Sequence, residues 1–153
     1  MSLNKKILSI ETSSNICGIS FIEGDNCIDS VDYDSSKKHT EVLPEYYCRL
    51  KKRTGFKLKS IDAIAVSIGP GSFTGLRVGL SFAKGLAFSQ ELPIIPVPTM
   101  MSLAYEIKEI YPKRGLIFSH ANTIFSQNIK WENNLPYPDG SILLLTWDKF
   151  LDE

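Results

Sequence analysis

Lys6-Ile7-Leu8-Ser9-Ile10-Glu11, Ile16-Cys17-Gly18-Ile19-Ser20-Phe21-Ile22 and Asn26-Cys27-Ile28-Asp29-Ser30-Val31 are short runs rich in strand-forming residues. Turn-forming Thr12-Ser13-Ser14-Asn15 and Glu23-Gly24-Asp25 separate them, so the pattern predicts an antiparallel three-stranded meander. The period then changes. Val42, Leu43, Tyr46, Tyr47 and Leu50 recur at helical spacing up to Lys51-Lys52-Arg53 and Gly55, predicting a helix over about residues 40–53. Ile61 to Ile68 is nearly continuous in apolar residues after an early Asp62, which predicts a parallel strand covered on both faces. Gly69-Pro70-Gly71-Ser72 breaks that strand and feeds a small-residue segment expected to be helical over 72–89. Leu92-Pro93-Ile94-Ile95-Pro96-Val97 reads as another strand. Thr99 is then expected to cap a helix over 99–111, with Leu103, Ile107 and Ile110 on one face. The order βββαβαβα describes an α/β unit whose meander continues into parallel strands through right-handed crossovers.

After Pro112 the pattern begins again, dividing the chain into a first domain over 4–112 and a partial second one over 113–153. In the second, Gly115 to Ser119 and Thr123 to Trp131 are expected strands, Leu135-Pro136-Tyr137-Pro138-Asp139-Gly140 an expected loop, and Ser141 to Thr146 a third strand before the start of a helix. Met1-Ser2-Leu3 is set aside as an expression remnant.

Composition narrows the class of function. The 153 residues are 43% hydrophobic, 22% charged and 10% aromatic, the balance of a globular chain. Seventeen Lys and Arg face seventeen Asp and Glu, so the whole molecule has no basic field of the kind that holds nucleic acid tightly. Any RNA is therefore expected to reach this chain through a partner. No apolar run approaches the roughly 20 residues that span a bilayer, and no signal-peptide pattern follows Asn4-Lys5-Lys6, so the expected location is cytoplasmic, off the membrane. Cys17, Cys27 and Cys48 are odd in number and lack the close pairing of a zinc site; they read as reduced thiols.

The informative stretch is Ile68-Gly69-Pro70-Gly71-Ser72-Phe73-Thr74-Gly75-Leu76-Arg77-Val78-Gly79-Leu80, continuing to Ala83-Lys84-Gly85-Leu86-Ala87. Ser72 can accept a hydrogen bond from a free amide at the helix start. Gly75, Gly79 and Ala83 recur every four residues as a flat stripe, and each interior glycine costs about 1 kcal/mol relative to alanine. Such a stripe implies close backbone packing, either internal or against a partner. On the second reading the partner-binding set is Gly75, Leu76, Arg77, Gly79, Leu80 and Ala83.

This segment resembles the GPGSFTGLR signature of the TsaB (YeaZ) family. The likeness extends over about residues 5–112, through Ile7-Leu8-Ser9-Ile10-Glu11-Thr12-Ser13, His39-Thr40-Glu41, Leu43-Pro44, Ile61-Asp62-Ala63-Ile64-Ala65-Val66 and Pro93. The resemblance implies an actin-like ATPase (ASKHA, ribonuclease H-like) α/β fold, complete in the first domain and shortened in the second, with a vestigial nucleotide site at Glu11, Thr12 and Ser13. It implies a non-catalytic scaffold with no cofactor, which pairs with the catalytic subunit TsaD and the ATPase TsaE to form threonylcarbamoyladenosine on tRNA and homodimerises when alone. TsaD-type enzymes carry a paired-histidine metal motif. Here His39 has no second histidine nearby, and His120 lies far along the chain. The family's Asp-Ala-Arg and Glu-Val-Tyr are replaced by His120-Ala121-Asn122-Thr123-Ile124-Phe125.

Other chemistry is weaker on the residues themselves. Gly69 to Gly75 sits where a helix N-terminus can hold an anion, but it has neither the Gly-Lys-Ser/Thr ending of a P-loop nor dinucleotide spacing. His39 with Glu41 lacks the second histidine of a zincin, so no metal is expected. Lys51, Lys52, Arg53, Lys57 and Lys59 could touch tRNA phosphates, yet cations at a helix C-terminus also complement its dipole. The alternative function is an actin-like phosphotransferase or a glycoprotease-like metallopeptidase.

Overall fold

The computed structural model describes residues 4–34 and 39–152; Met1-Ser2-Leu3, expected to be an expression remnant, lies outside them. The described residues form two compact units, one comprising those up to Ile68 together with Ser72–Val97, the other Gly69–Gly71 with those from Pro98 onward.

The first unit opens with the expected meander of β1 (Lys6–Glu11), β2 (Ile16–Glu23) and β3 (Asn26–Asp34). Helix α1 (His39–Thr54) ends at Gly55, whose amide donates to the Lys51 carbonyl at 2.9 Å with φ at 71°, a left-handed stop that suits glycine. Strand β4 (Ala63–Gly69), helix α2 (Phe73–Gln90) and strand β5 (Ile94–Pro98) complete it. The sheet order is β3-β2-β1-β4-β5, with β1 antiparallel to β2 and parallel to β4, Leu8 opposite Ile64 and Ile10 opposite Val66. One face of this sheet carries Leu8, Ile10, Ile19, Phe21, Ile64 and Val66 into a core closed by Leu43 and Leu50 of α1 and Ala83 and Ala87 of α2. Alternation along β1 thus sets one face in the core and leaves Ser9 and Glu11 on the other.

The second unit holds α3 (Thr99–Glu106) and an antiparallel sheet of β6 (Arg114–Phe118), β7 (Thr123–Glu132) and β8 (Leu135–Thr146), followed by α4 (Trp147–Leu151). The division was expected after Pro112. The packing of α3 on β6 and β8, with Met100, Met101 and Ala104 against Ile129, groups that helix with the second sheet. Its cap also differs from expectation: Pro98 is the N-cap residue, Thr99 is the first helical residue, and the α-helix ends at Glu106 before a 3-10 turn over Lys108–Ile110. Leu103, Ile107 and Ile110 are exposed, while Met100, Met101 and Ala104 are buried. The expected loop from Leu135 to Gly140 is the first half of β8. Asn133 and Asn134, both at positive φ, make a two-residue turn that brings Leu135 opposite Glu132.

Candidate functional site

The signature segment joins β4 to α2. Gly69 leaves the strand at φ 96°, a conformation open to glycine, and Ser72 caps the helix as the sequence predicts. Its Oγ accepts the Gly75 amide at 3.2 Å, and its carbonyl accepts the Leu76 amide at 2.8 Å. The β1–β2 turn lies against this helix start. The Ser72 amide donates to the Ser13 carbonyl at 2.6 Å, the buried Thr12 amide to Ser67 Oγ at 3.3 Å, and the Ser13 amide to the Glu11 carboxylate at 2.5 Å. Four amides of a strand-end and helix-start junction are therefore already committed to the chain's own oxygens. An anion settling among them would have to displace these acceptors.

Gly75 and Gly79 are what let the junction close. A Cβ on Gly75 would stand 2.0 Å from the Thr12 carbonyl oxygen, and one on Gly79 would stand 2.1 Å from Thr12 Oγ1. Ala83, the next position of the stripe, is fully buried in the core of the first unit. The reading of Gly75, Gly79 and Ala83 as partner-binding residues is thus corrected: the stripe exists to admit Thr12 and the sheet, and it faces inward. Of the remaining members of that set, Leu76 and Leu80 are half-buried and Arg77 is exposed.

The outward face of α2 carries residues that the sequence reading passed over. Phe73 is 68% exposed and Phe88 90% exposed, large apolar side chains in water on a helix that already has a buried face. The Arg77 guanidinium lies 3.9 Å from the centre of the Phe73 ring, a cation–π contact. Phe73, Arg77, Lys84 and Phe88 fall on one face at about 100° per residue, a spacing legible in the sequence but outcompeted by the glycine stripe.

The other candidates resolve individually. Cross-strand rows Ser9, Ser20, Ser30 and Glu11, Gly18, Asp32 line a shallow hollow of about 150 Å³ on the first sheet. Burial and, to a lesser extent, the nearby Glu11 charge push the Cys17 thiol up to about 11; Cys17 is buried and Cys27 and Cys48 are exposed, all three free. His39 is buried at the start of α1, and exposed His120 has Nδ1 3.1 Å from Ser119 Oγ. Among the described residues no three His, Cys, Asp or Glu side chains converge as a metal set, and no helix is long and apolar enough to cross a membrane. Within the basic cluster, Arg53 pairs with Asp29 and the Lys51 ammonium lies 5.9 Å from the centre of the Tyr47 ring, so part of it serves the surface of α1 and β3.

Comparison with known proteins places this geometry. The family model described as TsaD, tRNA N6-adenosine threonylcarbamoyltransferase, matches residues 32–126. The TsaB tRNA threonylcarbamoyladenosine biosynthesis protein of Haemophilus influenzae is 30% identical over 115 residues, 74% of this chain and 48% of that protein. The TsaB protein of Escherichia coli is 34% identical over 99 residues, 65% of this chain and 42% of its own length. A tRNA N6-adenosine threonylcarbamoyltransferase of Borrelia garinii is 32% identical over 147 residues, covering 84% and 44% respectively. The chain thus spans about half the length of the curated relatives it matches. The solved structure of YeaZ from Pseudomonas aeruginosa superposes with a TM-score of 0.83 at 24% identity, over 93% of this chain and 68% of that one, a likeness of fold.

Proposed function

The chain belongs to the TsaB (YeaZ) family, with an actin-like α/β fold, and from that premise we propose that it is a non-catalytic subunit in the formation of threonylcarbamoyladenosine on tRNA. In this reading it works in the cytoplasm and pairs with a TsaD-type catalytic subunit. A TsaE-type ATPase joins the pair, and tRNA is engaged through the complex. Glu11, Thr12 and Ser13 are a vestigial nucleotide site, held shut by their own hydrogen bonds.

The observation that carries the reading is the junction itself. In an actin-like fold the turn after the first strand is the natural place for phosphate, and here the amides of Thr12, Ser13, Ser72 and Gly75 are donated to Ser67, Glu11, Ser13 and Ser72. A turn so committed serves as a structural clamp on α2. The clamp fixes the helix whose outer face presents Phe73, Arg77 and Phe88, and that face is the proposed docking surface, with the aromatic and Arg composition of interface anchors.

Co-purification with the TsaD homologue of the same organism tests the pairing. Phe73→Glu with Phe88→Glu is expected to lower recovery of the complex at least tenfold while the melting temperature of the free chain stays within about 2 °C, since exposed substitutions shift stability little. Undiminished binding by this variant would place the interface elsewhere. ATPase, kinase or peptidase turnover by the purified chain alone, lost on Glu11→Ala or His39→Ala, would instead establish the enzyme reading.

A further inference from the structure

Three aromatic side chains and one guanidinium of the second unit stand in a row. Phe118 is the last residue of β6, an edge of the sheet ordered β6-β7-β8, and Trp147 and Phe150 are three residues apart on α4. The ring centres of Phe118 and Trp147 are 5.3 Å apart with planes at 36°, and those of Trp147 and Phe150 are 5.6 Å apart at 33°. The Arg114 guanidinium lies 5.3 Å from the centre of the Phe150 ring. These spacings are within the range of ring–ring and cation–π attraction.

The register builds the row. Phe118 is opposite Ile124 and Ile124 opposite Leu145, so Phe118, Ile124 and Leu145 share one face across the three strands. The Ser119 amide donates to the Thr123 carbonyl and the Trp147 amide to the Asn122 carbonyl, both at 2.9 Å, which fixes the β6–β7 turn beside the start of α4. At the other end of the row Arg114 Nε donates to Asn128 Oδ1 at 3.2 Å. Arg114, Trp147 and Phe150 are half-buried, and their contacts serve to seat α4 on the sheet. Phe118 is left over by that role. It is the outermost ring and is 68% exposed, so most of it stands in water.

From this ladder we infer that Phe118 is a stacking platform for an unpaired nucleobase of RNA. Unstacked bases of RNA loops are held on aromatic rings and guanidinium planes, because every base has a π face. An aliphatic protein partner would be met as well by leucine or isoleucine, whereas this row is aromatic in three members and ends on a cation. The acid in the first turn of α4, Asp148, is engaged by Asn122 Nδ2 at 3.1 Å. Stacking also suits a chain of zero net charge, since it does not depend on a basic field that neutralises phosphates. The inference rests on the reading that tRNA reaches this chain in a complex, and adds that the chain then touches a base itself.

The test is a fluorescence anisotropy titration of the full chain alone against a labelled single-stranded oligoadenylate of about 12 nucleotides, a length that single-strand-binding surfaces span. The wild type should bind within the nonspecific range of roughly 10⁻⁴–10⁻⁶ M. Phe118→Ala should weaken binding at least about fivefold, the lower end of what one stacked base contributes, with the melting temperature unchanged. Phe118→Tyr should bind as the wild type does. Phe118→Leu, apolar but without a ring face, should lose as much as Phe118→Ala. The slope of affinity against salt should be the same for wild type and Phe118→Ala, because no phosphate contact is removed. An RNA duplex of the same length should bind both equally. Should Phe118→Ala fail to fold, the contrast between Phe118→Tyr and Phe118→Leu decides. Because the titration omits the TsaD-type subunit, a failed co-purification leaves the platform standing, and a failed titration leaves the pairing standing. A wild type that does not bind the oligonucleotide, a folded Phe118→Ala that binds it undiminished, or a loss that extends equally to the duplex would overturn the platform. Equal binding by Phe118→Leu and Phe118→Tyr would also overturn it, and would mark Phe118 as an apolar contact for another protein.

Discussion

At the scale of single residues, the glycines of α2 divide by what surrounds them. Gly79 has no room for a methyl group beside Thr12 Oγ1, whereas Gly85 has nothing within 4 Å of the position its Cβ would take. Gly85→Ala is therefore expected to stabilise the chain by about 1 kcal/mol through helix propensity alone. Gly79→Ala gains the same propensity and meets an overpacking penalty of about 1–3 kcal/mol, so it should be neutral at best and more often destabilising. Chemical denaturation of the two variants side by side reads the contrast; equal shifts of the same sign would refute it. A second residue-scale prediction concerns Asp62. Its carboxylate accepts from Lys5 Nζ at 2.8 Å and from the Lys6 amide at 2.8 Å. First the Lys5 hydrogen bond and then the Lys6 amide hold its pKa below the ordinary carboxylate value. A depressed folded pKa contributes stability that is present above the unfolded value of about 3.9 and is lost as pH falls through the folded value. The gap in melting temperature between wild type and Asp62→Asn should thus be open at neutral pH and narrow in acid. A gap that does not change with pH would show that Asp62 acts through packing rather than charge.

At the scale of elements, the sequence patterns that worked were those with a single physical cause. Alternating runs separated by turn residues became β1 to β3, the continuous apolar run became the buried β4, and Ser72 capped α2 because a hydroxyl before a helix has one good use. Expectations failed where two causes competed. Pro136, Pro138 and Gly140 suggested a loop, yet an edge strand forgives residues that a central strand excludes, and β8 runs through them. The small-residue stripe signalled close approach correctly but not what approaches, since spacing along one helix cannot name the neighbour. Nor could the commitment of the junction amides be read beforehand, because Ser67 and Thr12 are 55 residues apart. The turn that defines the β7–β8 hairpin was legible and overlooked. Asn133 and Asn134 take φ of 51° and 62°, a geometry in which the second position favours glycine. Asn134→Gly is expected to raise stability by up to about 1 kcal/mol by removing a left-handed penalty that asparagine only partly escapes. A thermal melt showing a loss instead would indicate that the Asn134 side chain, which accepts from the Tyr111 hydroxyl at 2.8 Å, matters more than the backbone.

At the scale of the whole molecule, charge decides what the chain can do by itself. Affinity for RNA rests largely on the number of phosphates neutralised, and a chain with seventeen basic and seventeen acidic residues has no net field to supply it. The local exception runs from Lys51 to Lys59, and there Arg53 is already paired with Asp29 and the cations of α1 lie at its C-terminal end, where they complement the helix dipole. In the proposed complex, then, the basic surface that holds tRNA belongs to the catalytic subunit, and this chain contributes the fixed α2 face on which that subunit docks. The isolated chain should bind tRNA no more tightly than the nonspecific range of roughly 10⁻⁴–10⁻⁶ M at physiological salt. Addition of the TsaD-type subunit should tighten binding, and Phe73→Glu with Phe88→Glu should remove that gain without touching any basic residue. Anisotropy titrations of labelled tRNA at several salt concentrations separate the cases. If the chain alone binds well below the micromolar range with a steep salt dependence, and Lys51→Glu with Lys52→Glu abolishes it, RNA contact resides in α1, and the division of labour drawn from charge is wrong.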